Sequence, residues 1–482
     1  MIILSTAVQA KSVQADKPNI LFIFADDLSY KTTGFTGHLL VKSPNIDKIA
    51  QAGVVFDHTY NMGSWTPAVC AASRNMLNTG KTLWRANSLD AKMNNVFTPK
   101  VQSEIVNSMW AKRMAAAGYD TYMSGKWHVK AQLDNVFDDV GTERAGMPQQ
   151  QDIRYKRSFD AKGDNWSPYD KSMGGYWQGG KHWSEVLATE AIDYLDKKSD
   201  SQKPFFMYLA FNAPHDPRQA PKEYIDMYPL EQISLPDSYQ AKHESIETMG
   251  LIESHWFKKD NLLRDERLGP YPRTEYSTKV NRQEYYALIS HMDSQIGRIM
   301  ARLKENGQLE NTIIIFTADH GLAIGEHGLL GKQNMYEHSL RTPFVISGPN
   351  IPSGEVRNTP IYLQDAMATA LDIAGANNNG VEFKSVLPLI TNTKMSHYDS
   401  IYGAYLDNQR AVIVNDFKLI LYPLNGGVIE LYDLSKDPQE LNNLADKPEM
   451  KNKMKALFKE LLDLQEKYDD KLELTGVYPN LM

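Results

Sequence analysis

Asn19-Ile20-Leu21-Phe22-Ile23-Phe24-Ala25-Asp26-Asp27 is an uninterrupted apolar run that ends on two carboxylates. A run rich in Ile and Phe, with no polar alternation, reads as a strand buried on both faces, the kind found at the centre of a parallel sheet. The same grammar recurs downstream. Tyr119 to Met123 is a short strand ending in Ser124-Gly125-Lys126-Trp127-His128, and Pro204 to Phe211 is an apolar run ending in Asn212-Ala213-Pro214-His215. Thr312-Ile313-Ile314-Ile315-Phe316 ends in Thr317-Ala318-Asp319-His320-Gly321, and Phe344 to Ser347 runs into Gly348-Pro349.

Helical periodicity separates these strands. It covers Ser43-Pro44 to about Ala52, Val101 to Ala117, Trp183 to Lys197 and Asn281 to Glu305, with Gly53, Gly118 and Asn306-Gly307 among the stops. Alternating helices and buried strands predict an α/β fold: a large, mostly parallel central sheet with helices on both faces. Ligands of such sheets sit beyond the carboxyl ends of the strands. The pattern therefore predicts that Asp26, Asp27, Lys126, His128, His215, Asp319 and His320 gather along one edge. Alone, Asp26-Asp27 would be a strand-end turn and His128 or His215 a structural histidine; their joint occurrence at matching strand ends is what marks a site.

Beyond about residue 375 the character changes to short alternating strands over Tyr402 to Tyr422 and Leu431 to Leu434, then an amphipathic helix from Lys447 to Lys467. The expected division is a signal-peptide remnant or disordered terminus at 1–15, a catalytic domain at 18–375, and a small α+β subdomain at 376–482 with an antiparallel sheet and a terminal helix. In the first segment, Ile2-Ile3-Leu4 begins a short apolar stretch, and Val8-Gln9-Ala10 or Val13-Gln14-Ala15 offers a small-residue cleavage site, which predicts an exported, periplasmic or secreted bacterial protein. No apolar run reaches the roughly 18 residues needed to span a bilayer. The formal net charge of −7 argues against nucleic acid or anionic membrane held by bulk charge, so any bound anion must meet a local cluster of cations.

Cys70 is the only cysteine in 482 residues, and it lies in Cys70-Ala71-Ala72-Ser73-Arg74-Asn75-Met76-Leu77-Asn78-Thr79-Gly80, a small and polar neighbourhood unlike that of a packing cysteine. Arg74 to Leu77 reads as the start of a helix, and a nucleophile near a helix amino end feels a field that favours negative charge. Asp26, Asp27 and Asp319, with His320 beside them, suit one divalent cation bound mainly through oxygen.

The stretch from Cys70 resembles the signature of the type I sulfatases, Cys/Ser-x-Pro/Ala-x-Arg followed by Leu-x-Thr-Gly, matched by Cys70, Ala72, Arg74, Leu77, Thr79 and Gly80. The resemblance extends through Asp26-Asp27, Gly125 to His128, Pro214-His215, Asp319-His320-Gly321 and Gly331-Lys332, in order, across most of residues 18 to 435. It implies an alkaline phosphatase-like fold and a cysteine oxidised to formylglycine (3-oxoalanine) by a formylglycine-generating maturation enzyme. It also implies one Ca2+ held by Asp26, Asp27, Asp319, His320 and the residue-70 oxygen, and Arg74, Lys126 and Lys332 neutralising the sulfate. In the mechanism so implied, Asp319 helps to deprotonate the hydrated aldehyde, His215 or Lys332 protonates the leaving oxygen, and His128 removes the proton that restores the aldehyde.

Between His128 and Trp183 lie about fifty residues with little periodicity and a heavy aromatic load, a length that in a compact domain is usually functional. Trp166, Trp177, His182 and Arg218 are the candidate substrate contacts, aromatic faces suiting a pyranose and the arginine a second anionic group. Together these readings predict a sulfatase acting on a sulfated carbohydrate. The rivals are a phosphonate or phosphodiester hydrolase on the same scaffold, and a non-catalytic binder of sulfated glycans in which Cys70 stays a thiol.

Overall fold

A computed structural model describes residues 17–95, 99–148, 156–246, 248–251 and 262–482; the expected signal segment at 1–15 lies outside the described residues. The central sheet is built from β1 (Asn19–Asp26), β2 (Gly53–Phe56), β4 (Asp120–Lys126), β5 (Asp139–Arg144), β6 (Phe205–Pro214), β7 (Thr312–Ala318), β8 (Phe344–Ser347) and β9 (Glu355–Arg357). A two-residue strand, β3 (Gly63–Ser64), belongs to a second sheet. In space the central strands run β9-β2-β8-β7-β1-β6-β4-β5, so β1 lies inside the sheet. It pairs in parallel with β7, Phe22 opposite Ile315, and with β6, Phe22 opposite Tyr208; only β8 makes antiparallel pairs, with β7 and β2.

The apolar run of β1 is explained by its two faces. Ile20, Phe22 and Phe24 pack with Trp110, Met114 and Met367 on one side, and Leu21, Ile23 and Ala25 with Ile46, Leu187, Leu288 and Met292 on the other. Burying each such large side chain contributes about 1.5–3 kcal/mol, and the Phe22 ring lies edge-on to Trp110 at 4.9 Å. The helices that cover these faces include α1 (Pro44–Gln51), α2 (Val69–Thr79), α3 (Pro99–Ser108), α4 (Trp110–Ala116), α5 (Trp183–Lys197) and α6 (Glu275–Glu305). None of the described helices is long and apolar enough to cross a membrane.

Four expectations are corrected in detail. The helix at 101–117 is two, because Met109 takes an extended conformation (φ −70°, ψ 154°) and starts α4 afresh. The long helix α6 begins six residues earlier than Asn281, where Thr274 accepts from the Ser277 amide at 3.1 Å. The strand at 119–123 runs on to Lys126. The helix that carries the signature starts at Val69 rather than at Arg74, so Cys70 lies in its first turn.

The Ser43-Pro44 start is in place, with Ser43 at the cap position, but its side chain makes no capping hydrogen bond. Asp293 of α6 accepts from the amides of Asn45 (3.0 Å) and Ile46 (2.8 Å) and from Asn45 Nδ2 (2.7 Å). Asp293→Ala would leave buried donors at the head of α1 unpaired, and we expect a loss of about 2 kcal/mol, read as a lower denaturation midpoint at unchanged m-value.

The second sheet contains β10 (Ile401–Tyr405), β11 (Gln409–Val414), β12 (Phe417–Tyr422) and β13 (Val428–Asp433), an antiparallel meander backed by α7 (Lys451–Lys467). Its fifth strand is β3, paired in parallel with β10 through Gly63 opposite Ala404 and Ser64 opposite Tyr405. The sheet packs on the segment that leads into the signature helix: Tyr60, Met62, Val69, Ala72 and Met76 share one core with Leu419, Leu421, Phe458 and Leu461.

Candidate active site

The carboxyl ends of β1, β4, β6 and β7 carry Asp26-Asp27, Lys126 to His128, His215 and Asp319-His320, as the alternation of strands and helices predicts. The close quarters need special backbone. Asp27 (φ 65°) and His128 (φ 57°) both adopt the left-handed conformation, a strain typical of functional sites that re-aims a side chain at a strand end. Gly125 has φ 105°, and a Cβ there would stand 1.9 Å from the Ala210 carbonyl oxygen of β6; one on Gly321 would stand 2.2 Å from the His338 carbonyl oxygen.

Arg74 lies one helical turn after Cys70, so both side chains point to the same face of α2. Its buried guanidinium donates from Nε to Asp319 Oδ2 at 2.9 Å and from Nη1 to the Lys126 carbonyl at 2.6 Å, lies 3.9 Å from Asp26 Oδ1 and covers the Phe24 ring at 4.8 Å. Lys126 Nζ is bonded to Asp26 Oδ2. Lys332 Nζ donates to both oxygens of Asp27 at 2.6 Å and lies 2.9 Å from Cys70 Sγ, which is itself 3.6 Å from Asp27 Oδ1. His215 Nε2 faces Asp27 Oδ2 at 3.6 Å. The His128 ring packs against Gly146, where a Cβ would come within 2.8 Å of Cε1, and its buried Nδ1 has no hydrogen-bond partner among the described residues.

Burial and mutual repulsion dominate the electrostatics. Desolvation lifts the Asp26 carboxyl to about 6, with Asp319 adding and Lys126 and Arg74 opposing. It lifts Asp27 to about 8 against the pull of Lys332. Burial acts on Asp319 too, but Arg74, Lys126 and Lys332 together hold it well below the ordinary carboxylate range. Burial, reinforced by Asp26, Asp27 and Asp319, pushes the Cys70 thiol well up, so the unmodified side chain is no ready thiolate. His128 is pressed down to about 3 by burial and then by Lys126 and Arg74.

A divalent cation fits this donor set. Ligand atoms of Asp26, Asp27, Cys70 and His215 all lie within 4.8 Å of one another, and Asp26 Oδ1 is buried without a hydrogen-bond partner among the described residues. Asp319 adjoins the group, accepting from the Asp27 amide at 3.1 Å. The next residue, His320, is buried with Nδ1 3.0 Å from the Gly321 carbonyl. Two bracing residues carry no sequence signal: Tyr285 of α6 donates to the Asp27 carbonyl at 2.6 Å, and Asn61 Nδ2 donates to the Asp319 carbonyl at 2.6 Å.

The candidate substrate contacts divide. Arg218 is 3 % exposed, bonded to Asn281 through Nη1, with Nε and Nη2 unpartnered among the described residues. Trp166 is half-buried, its ring 5.7 Å from the Arg157 guanidinium. The other two are corrected. His182, 1 % exposed, caps α5 by accepting from the Ser184 amide at 3.1 Å. Trp177 is buried against it, ring centroids 5.3 Å apart, and donates to the Pro168 carbonyl. Trp177 is taken up by the packing of its own loop and His182 by that loop and by the His291 ring of α6, 4.7 Å away, and both are buried.

Comparison with known proteins agrees with this geometry. The family model for Sulfatase matches residues 18–376, and that for the N-sulphoglucosamine sulphohydrolase C-terminal region matches residues 325–467. The chain is 29% identical to an arylsulfatase of Clostridium perfringens over 96% of its own length and 98% of the relative's. It is 26% identical to an N-acetylglucosamine-6-O-sulfatase of Bacteroides thetaiotaomicron, over 97% of this chain and 89% of that one. Among solved structures, a protein in complex with its substrate D-glucosamine-2-N,6-O-disulfate superposes with a TM-score of 0.73 at 24% identity, covering 94% of this chain and 99% of that one. With three quarters of its length in the family match and the converging strand ends in the expected order, the chain belongs to the sulfatase family of the alkaline phosphatase-like superfamily, as a sulfuric ester hydrolase.

Proposed function

We propose that the protein removes sulfate from a sulfated carbohydrate, using residue 70 as formylglycine and one bound Ca2+. The observation that carries this reading is the position of the Cys70 side chain, 2.9 Å from Lys332 Nζ and grouped with the carboxylates of Asp26 and Asp27 and with His215. Asp26, Asp27 and Asp319, with His320 and the residue-70 oxygen, would hold the cation, which supplies Lewis-acid neutralisation of the sulfate oxygens. Oxidation of Cys70 by a formylglycine-generating enzyme supplies the hydrated aldehyde as nucleophile.

The other steps fall to side chains of the chain. Arg74, Lys126 and Lys332 stand as preorganised positive groups around position 70, where charge develops as the S–O bond breaks. Asp319 takes a proton from the attacking hydroxyl. His215 Nε2 gives one to the leaving sugar oxygen, which receives the electron pair of the broken bond, and each such positioned acid or base adds about 10²- to 10⁴-fold. His128, kept neutral by burial and by its cationic neighbours, accepts the proton of the remaining residue-70 hydroxyl as the C–O bond to sulfate breaks, releasing sulfate and restoring the aldehyde.

A carbohydrate substrate is supported by a relative named for N-acetylglucosamine-6-O-sulfate, by the solved complex with a glucosamine disulfate, and by Arg218, whose open donors suit a second anionic group. Export is part of the same proposal, on the strength of the apolar start and the small-residue cleavage sites. The test is sulfate release from defined sulfated mono- and oligosaccharides by protein co-expressed with a maturation system, beside aryl phosphonate and phosphodiester controls. We expect sulfate release to exceed phosphorus-ester cleavage by at least about 10²-fold in kcat/KM. Preference for a phosphorus ester, or glycan binding by matured protein without sulfate release, overturns the reading.

A further inference from the structure

His215 is followed by Asp216 in the turn that leaves β6, and Asp216 is engaged on every side. His215 Nδ1 lies 2.7 Å from the Asp216 carbonyl oxygen and 3.2 Å from its carboxylate Oδ1. Arg264 grips the same carboxylate with two nitrogens, Nη1 on Oδ2 and Nη2 on Oδ1 at 3.2 Å. Tyr176 OH donates to the Asp216 carbonyl at 2.8 Å. His215 and Asp216 are both buried, so water does not substitute for these contacts.

Both oxygens at Nδ1 are acceptors, which has one chemical meaning. Nδ1 keeps its proton in either charge state of the ring, and Nε2, facing Asp27, is the nitrogen that gains and loses one. We infer that Asp216, held by Arg264, is a positioning residue that fixes the tautomer and the orientation of His215 so that Nε2 is the atom presented to the leaving oxygen. This deepens the proposed function and rests on its assignment of His215 as the proton donor. When Nε2–H is delivered, the proton passes to the leaving oxygen as the S–O bond breaks, and the ring returns to its Nδ1–H form.

The test compares His215→Ala, Asp216→Asn and Arg264→Gln on aryl sulfates whose phenols range from 4-nitrophenol to unsubstituted phenol. A leaving group that departs easily needs little protonation, so loss of a proton donor falls hardest on the poorest leaving group. Asn suits Asp216 in size, but it lacks the charge, and its NH2 sets a donor where a carboxylate oxygen now accepts from Arg264 or faces Nδ1–H. We expect Asp216→Asn to lose about 10- to 10²-fold more on phenyl sulfate than on 4-nitrophenyl sulfate, in the same sense as His215→Ala, with Arg264→Gln following more weakly. Equal loss across the series for Asp216→Asn, with a graded loss for His215→Ala, refutes the inference and spares the proton donor. Equal loss for His215→Ala removes the donor assignment and the inference with it. A readout free of turnover is the 15N spectrum of histidine-labelled protein, in which the resonance absent from His215→Ala should carry its proton on Nδ1; finding the neutral ring protonated on Nε2 also refutes the inference. Thermal unfolding of each variant separates these patterns from misfolding, and a folded His215→Glu restoring part of the graded loss would support the donor assignment.

Discussion

Cys70→Ala is expected to release sulfate at least about 10⁴-fold more slowly than the matured wild type, with the fold retained. The side chain is 2 % exposed and small, it sits in the first turn of α2, and alanine is the best helix former, so little structure depends on the sulfur. What disappears is the only atom at that position able to become a nucleophile. The cations that surround it, Arg74, Lys126 and Lys332, stay paired with Asp319, Asp26 and Asp27. The measurement is sulfate released per mole of folded protein, with circular dichroism and the unfolding midpoint as controls. Activity within tenfold of wild type would remove residue 70 from the reaction.

Stripping the protein of divalent cations with a chelator is expected to produce the second largest loss, about 10²- to 10⁴-fold, since a Lewis acid at a developing charge is worth several kcal/mol. Burial lifts Asp26 and Asp27 above the ordinary carboxylate range, to about 6 and about 8, because their negative charges lie close together out of water. A cation relieves that penalty, so binding also stabilises the folded chain by mass action. Adding back Ca2+ should therefore restore turnover and raise the unfolding midpoint together, whereas Asp26→Ala or Asp27→Ala should abolish both responses. Full activity in chelated protein shown to be metal-free by elemental analysis would exclude the cation from the mechanism.

Much of this architecture is visible in the residues before any coordinates are drawn, for a physical reason. Strands buried on both faces have nowhere to put a polar side chain, so β1, β6 and β7 announce themselves as continuous apolar runs, and the first polar residue after each run marks the functional edge. The misses have equally definite causes. The start of α2 is hidden because Ala68 offers no side-chain cap, and the helix is imposed by packing of Val69, Ala72 and Met76 on the second sheet. The edge strand β5 is mostly half-exposed and polar, leaving no apolar signal. Asp293, Tyr285 and Asn61 act across some 250 residues of chain, and a contact that depends on tertiary folding leaves no local pattern. Trp177 and His182 mislead in the opposite sense, since an aromatic-rich loop needs aromatic residues for its own interior.

The pairing of Gly63–Ser64 with Ile401–Tyr405 sets an order of events during synthesis. The short strand just upstream of Cys70 finds its hydrogen-bonding neighbour only after the ribosome has travelled more than three hundred codons further. Until then the segment that leads into the signature helix has no completed sheet to settle against. The meander, made late, completes that sheet and with it the core on which Val69, Ala72 and Met76 of the signature helix pack.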